Sequence, residues 1–158
     1  MDSSKTIHYE NFKFSIGVII TSIIVILLFT YASVVIIDTK NTTVIIIALI
    51  ALLSIIFGIL CSMPLRLEIN KTKIIISHPI GKTVILREHI TESRIISKND
   101  LKGSLRLFGS GGFMGWFGIF HNNKLGKYQL YSGDLENLHY IVTKEKNYII
   151  SSSVPIEL

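Results

Sequence analysis

Two uninterrupted apolar runs, residues 14–37 and 44–65, limit what the first third of this 158-residue chain can become. As helices of 24 and 22 residues they would reach about 36 and 33 Å at about 1.5 Å rise per residue. A hydrocarbon core is about 30 Å thick, so either run can cross it with some tilt. Neither holds a charged side chain, and only residues 38–43 separate them. The pattern predicts a transmembrane helical hairpin. A polar tail at 1–13 precedes it and a domain at 66–158 follows.

The positive flanks set the expected orientation, because Lys and Arg resist translocation. Lys5 and Lys13 precede the first run, Lys40 alone lies between the runs, and Arg66, Lys71, Lys73 and Lys82 follow the second. Both ends are therefore expected on the cytoplasmic side of the cell's inner membrane. A secretory signal peptide also begins with positive charge, but its apolar region is usually 7–15 residues, shorter than either run. Within the second run Ala51, Ser54, Gly58 and Ser62 recur at spacings of three and four. Small residues on one helical face let two backbones approach. This face is expected against the first span, near Gly17 and Thr21, or against a second copy in a homo-oligomer.

The net charge of +5 belongs to the domain after residue 65, with 13 Lys and Arg against 8 Asp and Glu. The basic residues form no run or recognition motif, which argues against nucleic acid. An anionic lipid surface is the nearer partner for a tethered basic domain, with Arg66, Lys71, Lys73 and Lys82 as candidate headgroup contacts. Cys61 is the single cysteine and sits inside the second run. No disulfide framework and no Cys/His metal spacing is available.

After Pro64 the apolar period changes from helical to alternating. Leu67 and Ile69, the run at 74–76, the run at 83–86, residues 90–96, 127–131, 138–143 and 148–151 read as short strands divided by turn residues. About seven strands at such spacing predict a small antiparallel β sandwich or open barrel.

Residues 107–120 are the unusual part of this domain. Glycines at 109, 111, 112, 115 and 118 alternate with Phe108, Phe113, Met114, Trp116, Phe117 and Phe120. This is not a phosphate loop, since no Gly-Lys-Ser/Thr follows, and Met114 stands where a dinucleotide fingerprint needs glycine. Two readings fit. The glycines kink a long strand while the aromatics fill a core, or Phe113, Met114, Trp116 and Phe117 form a loop that dips into the membrane interface.

This stretch, followed by Gly126, Lys127 and Tyr128 and then by Tyr148, Ile149, Ile150 and Ser151, resembles the bacterial PH-like (pleckstrin-homology-like) domains. It is most similar to small membrane proteins that place such a domain after a two-helix hairpin. The resemblance implies a seven-stranded, strongly bent β domain capped by a C-terminal helix. The seven residues after Ser151 give no more than one helical turn, so that cap is expected to be lost, truncated or replaced here. It also implies headgroup contacts on the first hairpin, at Lys71 and Lys73.

The five histidines show no metal-ligand spacing, and no paired carboxylates or nucleophile elbow is visible. No catalytic, metal or cofactor residue is nominated. The function expected is non-catalytic binding of a protein partner at the membrane. The alternatives are an anionic-lipid sensor and a small accessory subunit of a transporter.

Overall fold

The computed structural model describes residues 8–38 and 40–156. Most of the expected tail, residues 1–7 with Lys5, lies outside them. Two helices, α1 (Ile16–Asp38) and α2 (Thr42–Ser62), occupy the two apolar runs. Their ends differ from the apolar limits for local reasons. Ser15 Oγ accepts from the Val18 N–H at 3.3 Å at the start of α1. The Asn41 side chain accepts from the Thr43 and Val44 N–H groups at 3.1 and 3.3 Å and so starts α2 early. Met63 is extended because Pro64 follows, which ends α2 at Ser62. Hydroxyls inside the apolar helices, among them Thr21, Ser33 and Ser54, donate to carbonyls four residues back at 2.8 Å.

Among the described residues, ten strands make two sheets. The first sheet has the order β1 (His8–Asn11), β2 (Arg66–Ile69), β3 (Lys73–Ser77), β4 (Lys82–Leu86), and every pair is antiparallel. The second contains β5 (Ile90–Ile96), β6 (Leu105–Gly111), β7 (Trp116–Asn122), β8 (Gly126–Ser132), β9 (Leu138–Thr143) and β10 (Asn147–Ser151). Its spatial order is β5-β9-β10-β8-β7-β6.

Two corrections to the sequence reading follow. Residues 8–11 are not tail: His8 pairs with Ile69 and Asn11 with Arg66. The helical hairpin is thus an insertion between adjacent strands of one sheet, and the β domain draws on both sides of it. A four-residue polar strand carries too short an alternation to be read alone. The sheet is also not wholly antiparallel, since β10 runs parallel to β8.

The core has two parts. Leu67, Ile69, Ile74, Ile76 and Ile85 of the first sheet meet Phe117, Tyr131, Ile141 and Ile150 of the second. Phe12, Met63 and Ile156, all outside the strands, complete this cluster. A second cluster, including Leu130, Leu138, Tyr140 and Ile149, packs on the other face of the second sheet. Neighbours such as Tyr140 and Ile141, or Ile149 and Ile150, therefore serve opposite faces. Each fully buried side chain of this size contributes about 1.5–3 kcal/mol. No helix follows β10 among the described residues, and the chain there runs irregularly to Ile156, which is buried.

Candidate interaction site

The glycine–aromatic stretch is the β6–β7 hairpin, closed by a turn in which the Gly112 N–H donates to the Gly115 carbonyl at 3.1 Å. Gly109 and Gly118 face each other across it, with φ of +104° and +121°. A Cβ at Gly109 would lie 2.7 Å from the Gly118 Cα and closer still to the Phe117 carbonyl. Only glycine fits at this crossing, in backbone space as well as in φ.

This hairpin lies against the helices. The Met114 N–H donates to Ser22 Oγ at 2.8 Å, and Ser22 and Val18 are the buried residues of α1. Ser22 is six residues into α1, about 9 Å along its axis. The hairpin turn thus reaches the second turn of an apolar helix. Gly115 sits against Phe14, whose Cε1 would be 3.1 Å from an added Cβ.

The residues of the stretch fall in different places. Phe117 is core at 2% exposure, Met114 packs beside the same cluster, and Trp116 packs on the second cluster. Phe113 and Phe108 instead line an open groove of about 670 Å³ between the hairpin and the helices.

That groove collects much of the small-residue face of α2. Ser54, Gly58 and Ser62 line it, opposite Val25 and Phe29 of α1. Ala51 does not. It lines a second crevice, of about 260 Å³, between the helices toward their connecting loop, with Ala32, Ser33 and Ala48. The expected close approach to α1 at Gly17 is absent. A Cβ at Gly58 would meet nothing within 4 Å, and one at Gly17 only Ser15 Oγ at 3.9 Å.

The four basic candidates divide. Arg66 and Lys82 stand in register with Ser77 on the outer face of the first sheet, at the end where α2 enters it. Two strand spacings separate them, about 10 Å. Lys73 begins β3 at the opposite end, in register with Leu86, and Lys71 is in the turn before it. Four residues along a strand is about 13 Å, so one planar surface at the helix end does not meet all four.

Sequence reasoning missed the contact that fixes the domain to α2. The Ile80 N–H donates to the Leu60 carbonyl at 3.0 Å. His78 Nδ1 lies 3.1 Å from the Met63 carbonyl and Nε2 2.9 Å from Thr83 Oγ1. The Nδ1–H tautomer donates to Met63 and leaves Nε2 to accept from Thr83. Tyr131 completes the chain, its hydroxyl 3.3 Å from Thr83 Oγ1 and its ring 5.5 Å from the imidazole. Burial pushes the His78 pKa below the usual imidazole range, although the Met63 hydrogen bond opposes this. A lone histidine in a turn carries no signal of such a partner fifteen residues back.

The other feature invisible in sequence is β6 itself. It is the outer strand of its sheet and presents Leu105, Leu107 and Phe108 at 64%, 52% and 64% exposure. Arg106 is its single charge. The register shift between Arg106 and Phe108 leaves Leu107 bulged.

Two helices long and apolar enough to cross a bilayer are joined to a two-sheet β domain of PH-like architecture. The chain belongs to the bacterial PH domain family, whose model matches residues 65–156. PH-like domains are generally non-catalytic modules. No curated protein and no solved structure matches the chain.

Proposed function

We propose that this protein is a membrane-anchored, non-catalytic module that binds a protein partner at the inner face of the cytoplasmic membrane. The helical hairpin is the anchor. The positive flanks at Lys13, Arg66 and Lys82 support a cytoplasmic β domain.

One observation carries the reading: β6 is an unpaired edge with exposed Leu105 and Leu107. Edge strands are normally blunted by charge, proline or cover, because they template pairing with another chain. A seven-residue edge with one charge suits strand addition, in which main-chain bonds give affinity and alternate side chains give specificity.

A photoreactive phenylalanine analogue at position 107 tests this in native membranes. It should give a discrete adduct with a second polypeptide, and the same probe at Val84, on the other sheet, should not. Leu105→Lys should abolish the adduct at 107. Equal labelling from both positions would sink the reading.

The lipid-sensor alternative is favoured by Arg66 and Lys82 at the helix end of the first sheet. A basic residue near an anionic leaflet contributes about 1 kcal/mol. Lys71 and Lys73 are remote from that end.

A further inference from the structure

We propose that a pocket beside the start of β6 takes an acidic segment of the protein partner, seating one large apolar side chain between carboxylates held by Lys98 and Lys102. The inference rests on the protein-partner reading above and adds a second contact next to the strand edge.

A 3-10 helix at Lys98–Leu101 packs Leu101 on the second core cluster. Between this helix and the second sheet lies a pocket of about 280 Å³. Phe120, Tyr128, Leu130 and Leu135 line its interior, each at 6% exposure or less. Trp116 lines it too and is half-buried. Phe120 and Tyr128 stack on one another, ring centroids 5.9 Å apart, which leaves Trp116 as the one ring in the pocket open to solvent. That suits a single inserted side chain and not a row of stacked bases. The volume falls just below the usual range of small-molecule sites.

The rim is basic. Lys98 and Lys102 line the pocket, and both are exposed. Arg106 stands opposite Phe120 in register. An added Cβ at Gly111 would meet Arg106 Nη1 at 3.0 Å and Trp116 Cζ3 at 3.5 Å, so guanidinium and indole flank the same backbone. No carboxylate lines the pocket, and among the described residues none of these three cations makes an ion pair. Asp100 is turned back on Ser97, accepting from its N–H at 2.8 Å and its hydroxyl at 2.9 Å. Ser104 Oγ accepts from the Tyr128 hydroxyl at 2.8 Å and from Asn122 Nδ2 at 3.0 Å, so its own hydrogen is left to donate.

Charge complementarity sets the occupant. A neutral apolar group would leave the cations idle, and a free carboxylate would leave the apolar interior bare. Several cations around one pocket match an apolar residue with acidic neighbours, an anchor with a charged rim. The pocket and the helices also lie on opposite faces of the second sheet. Trp116 and Phe120 line the pocket, whereas Ser110 and Phe117, on the other face, border the helices. A polypeptide in the aqueous phase reaches this face, and the bilayer that the helices are read to cross does not.

The full-length protein in phosphatidylcholine nanodiscs is titrated with acetyl-Glu-Asp-Phe-Asp-Glu-amide. Trp116, the single tryptophan, should report a saturable shift in emission. The peptide with Gln and Asn in place of its acids should bind about tenfold more weakly, for two or three rim contacts. Serine in place of its Phe should remove the shift. Lys98→Gln with Lys102→Gln changes only exposed positions and should reproduce the loss seen with the neutral peptide. No saturable shift, or equal affinity for acidic and neutral peptides, would overturn the proposal. Tighter binding of a short oligothymidylate would overturn it in favour of nucleic acid.

A photoreactive analogue at Asn99, which lines the pocket and is exposed, separates this inference from the reading beneath it. It should label the same polypeptide as the probe at 107. An adduct at 107 with none at 99 would overturn the pocket alone. No adduct at either position would overturn the protein-partner reading, and this inference with it.

Discussion

The Glu10 carboxylate of β1 accepts from the Ser153 backbone N–H at 3.0 Å, joining two residues 143 positions apart. The Ser152 hydroxyl donates to the same carboxylate at 2.6 Å, and the Ser153 hydroxyl donates to it as well. One side chain before the helices thus holds the segment after the last strand, next to buried Ile156.

Burial alone would raise the Glu10 pKa, but the hydrogen bonds from Ser152 and Ser153, with His8 nearby, bring it below the usual range. A depressed carboxylate contributes stability that is complete above its unfolded pKa and is lost as pH falls through the folded value. Glu10→Ala should cost about 2 kcal/mol at neutral pH, the scale of hydrogen bonds to a charged group. Thermal unfolding of the solubilised protein measures this. The deficit should shrink below the ordinary glutamate range, where the unaltered protein also loses the contact.

His78 has a separate acid window. Its depressed pKa means that the folded protein prefers the neutral ring. The corresponding stability is present above about pH 6.5 and declines as pH falls through the folded value. His78→Asn should lower the melting temperature at pH 7.5 and flatten its fall toward pH 5.5. The fall should not vanish, because burial lowers the pKa of His139 as well. An unchanged pH profile would show that the junction does not titrate.

Ser22 tests whether the hairpin is docked on α1. Ser22→Ala leaves the Met114 N–H unpaired, at a cost of about 1–2 kcal/mol. It should also shift the emission of Trp116, two residues along. Ser33→Ala, whose hydroxyl donates only within its own helix, should do neither.

The glycine crossing separates strain from space. Gly81 has φ of +92°, yet an added Cβ there meets nothing within 4 Å. Gly81→Ala should cost about 1 kcal/mol. Gly109→Ala adds a collision with the backbone of β7, so it should cost at least about 2 kcal/mol more and loosen the hairpin in hydrogen exchange.

Much of the fold was legible because its signals are local. The two apolar runs declare their helices by length. Strands β2 to β5 and β8 to β10 declare themselves by apolar, largely β-branched or aromatic residues between turns. The family resemblance rested on the stretch around Phe108, Gly109 and Trp116, and the hairpin found there agrees with it. The candidate site was legible only in pieces. Ser54, Gly58, Phe108 and Phe113 were each singled out for other reasons, as helix packing, core or interface. They come together in one groove only in the fold, where contacts such as the Ser22–Met114 bond span 92 residues.

By itself the sequence determined the two apolar helices and most of the strands, since hydrophobic period and chain length act over a few residues at a time. The tertiary structure decided the rest. It brought Glu10 to Ser153, sent β10 back parallel to β8, and split the basic residues between two ends of a sheet. It also left Leu105 and Leu107 on an open edge. Each of these is a pairing between distant segments, chosen by how whole sheets bury their faces together, and no local period encodes that choice.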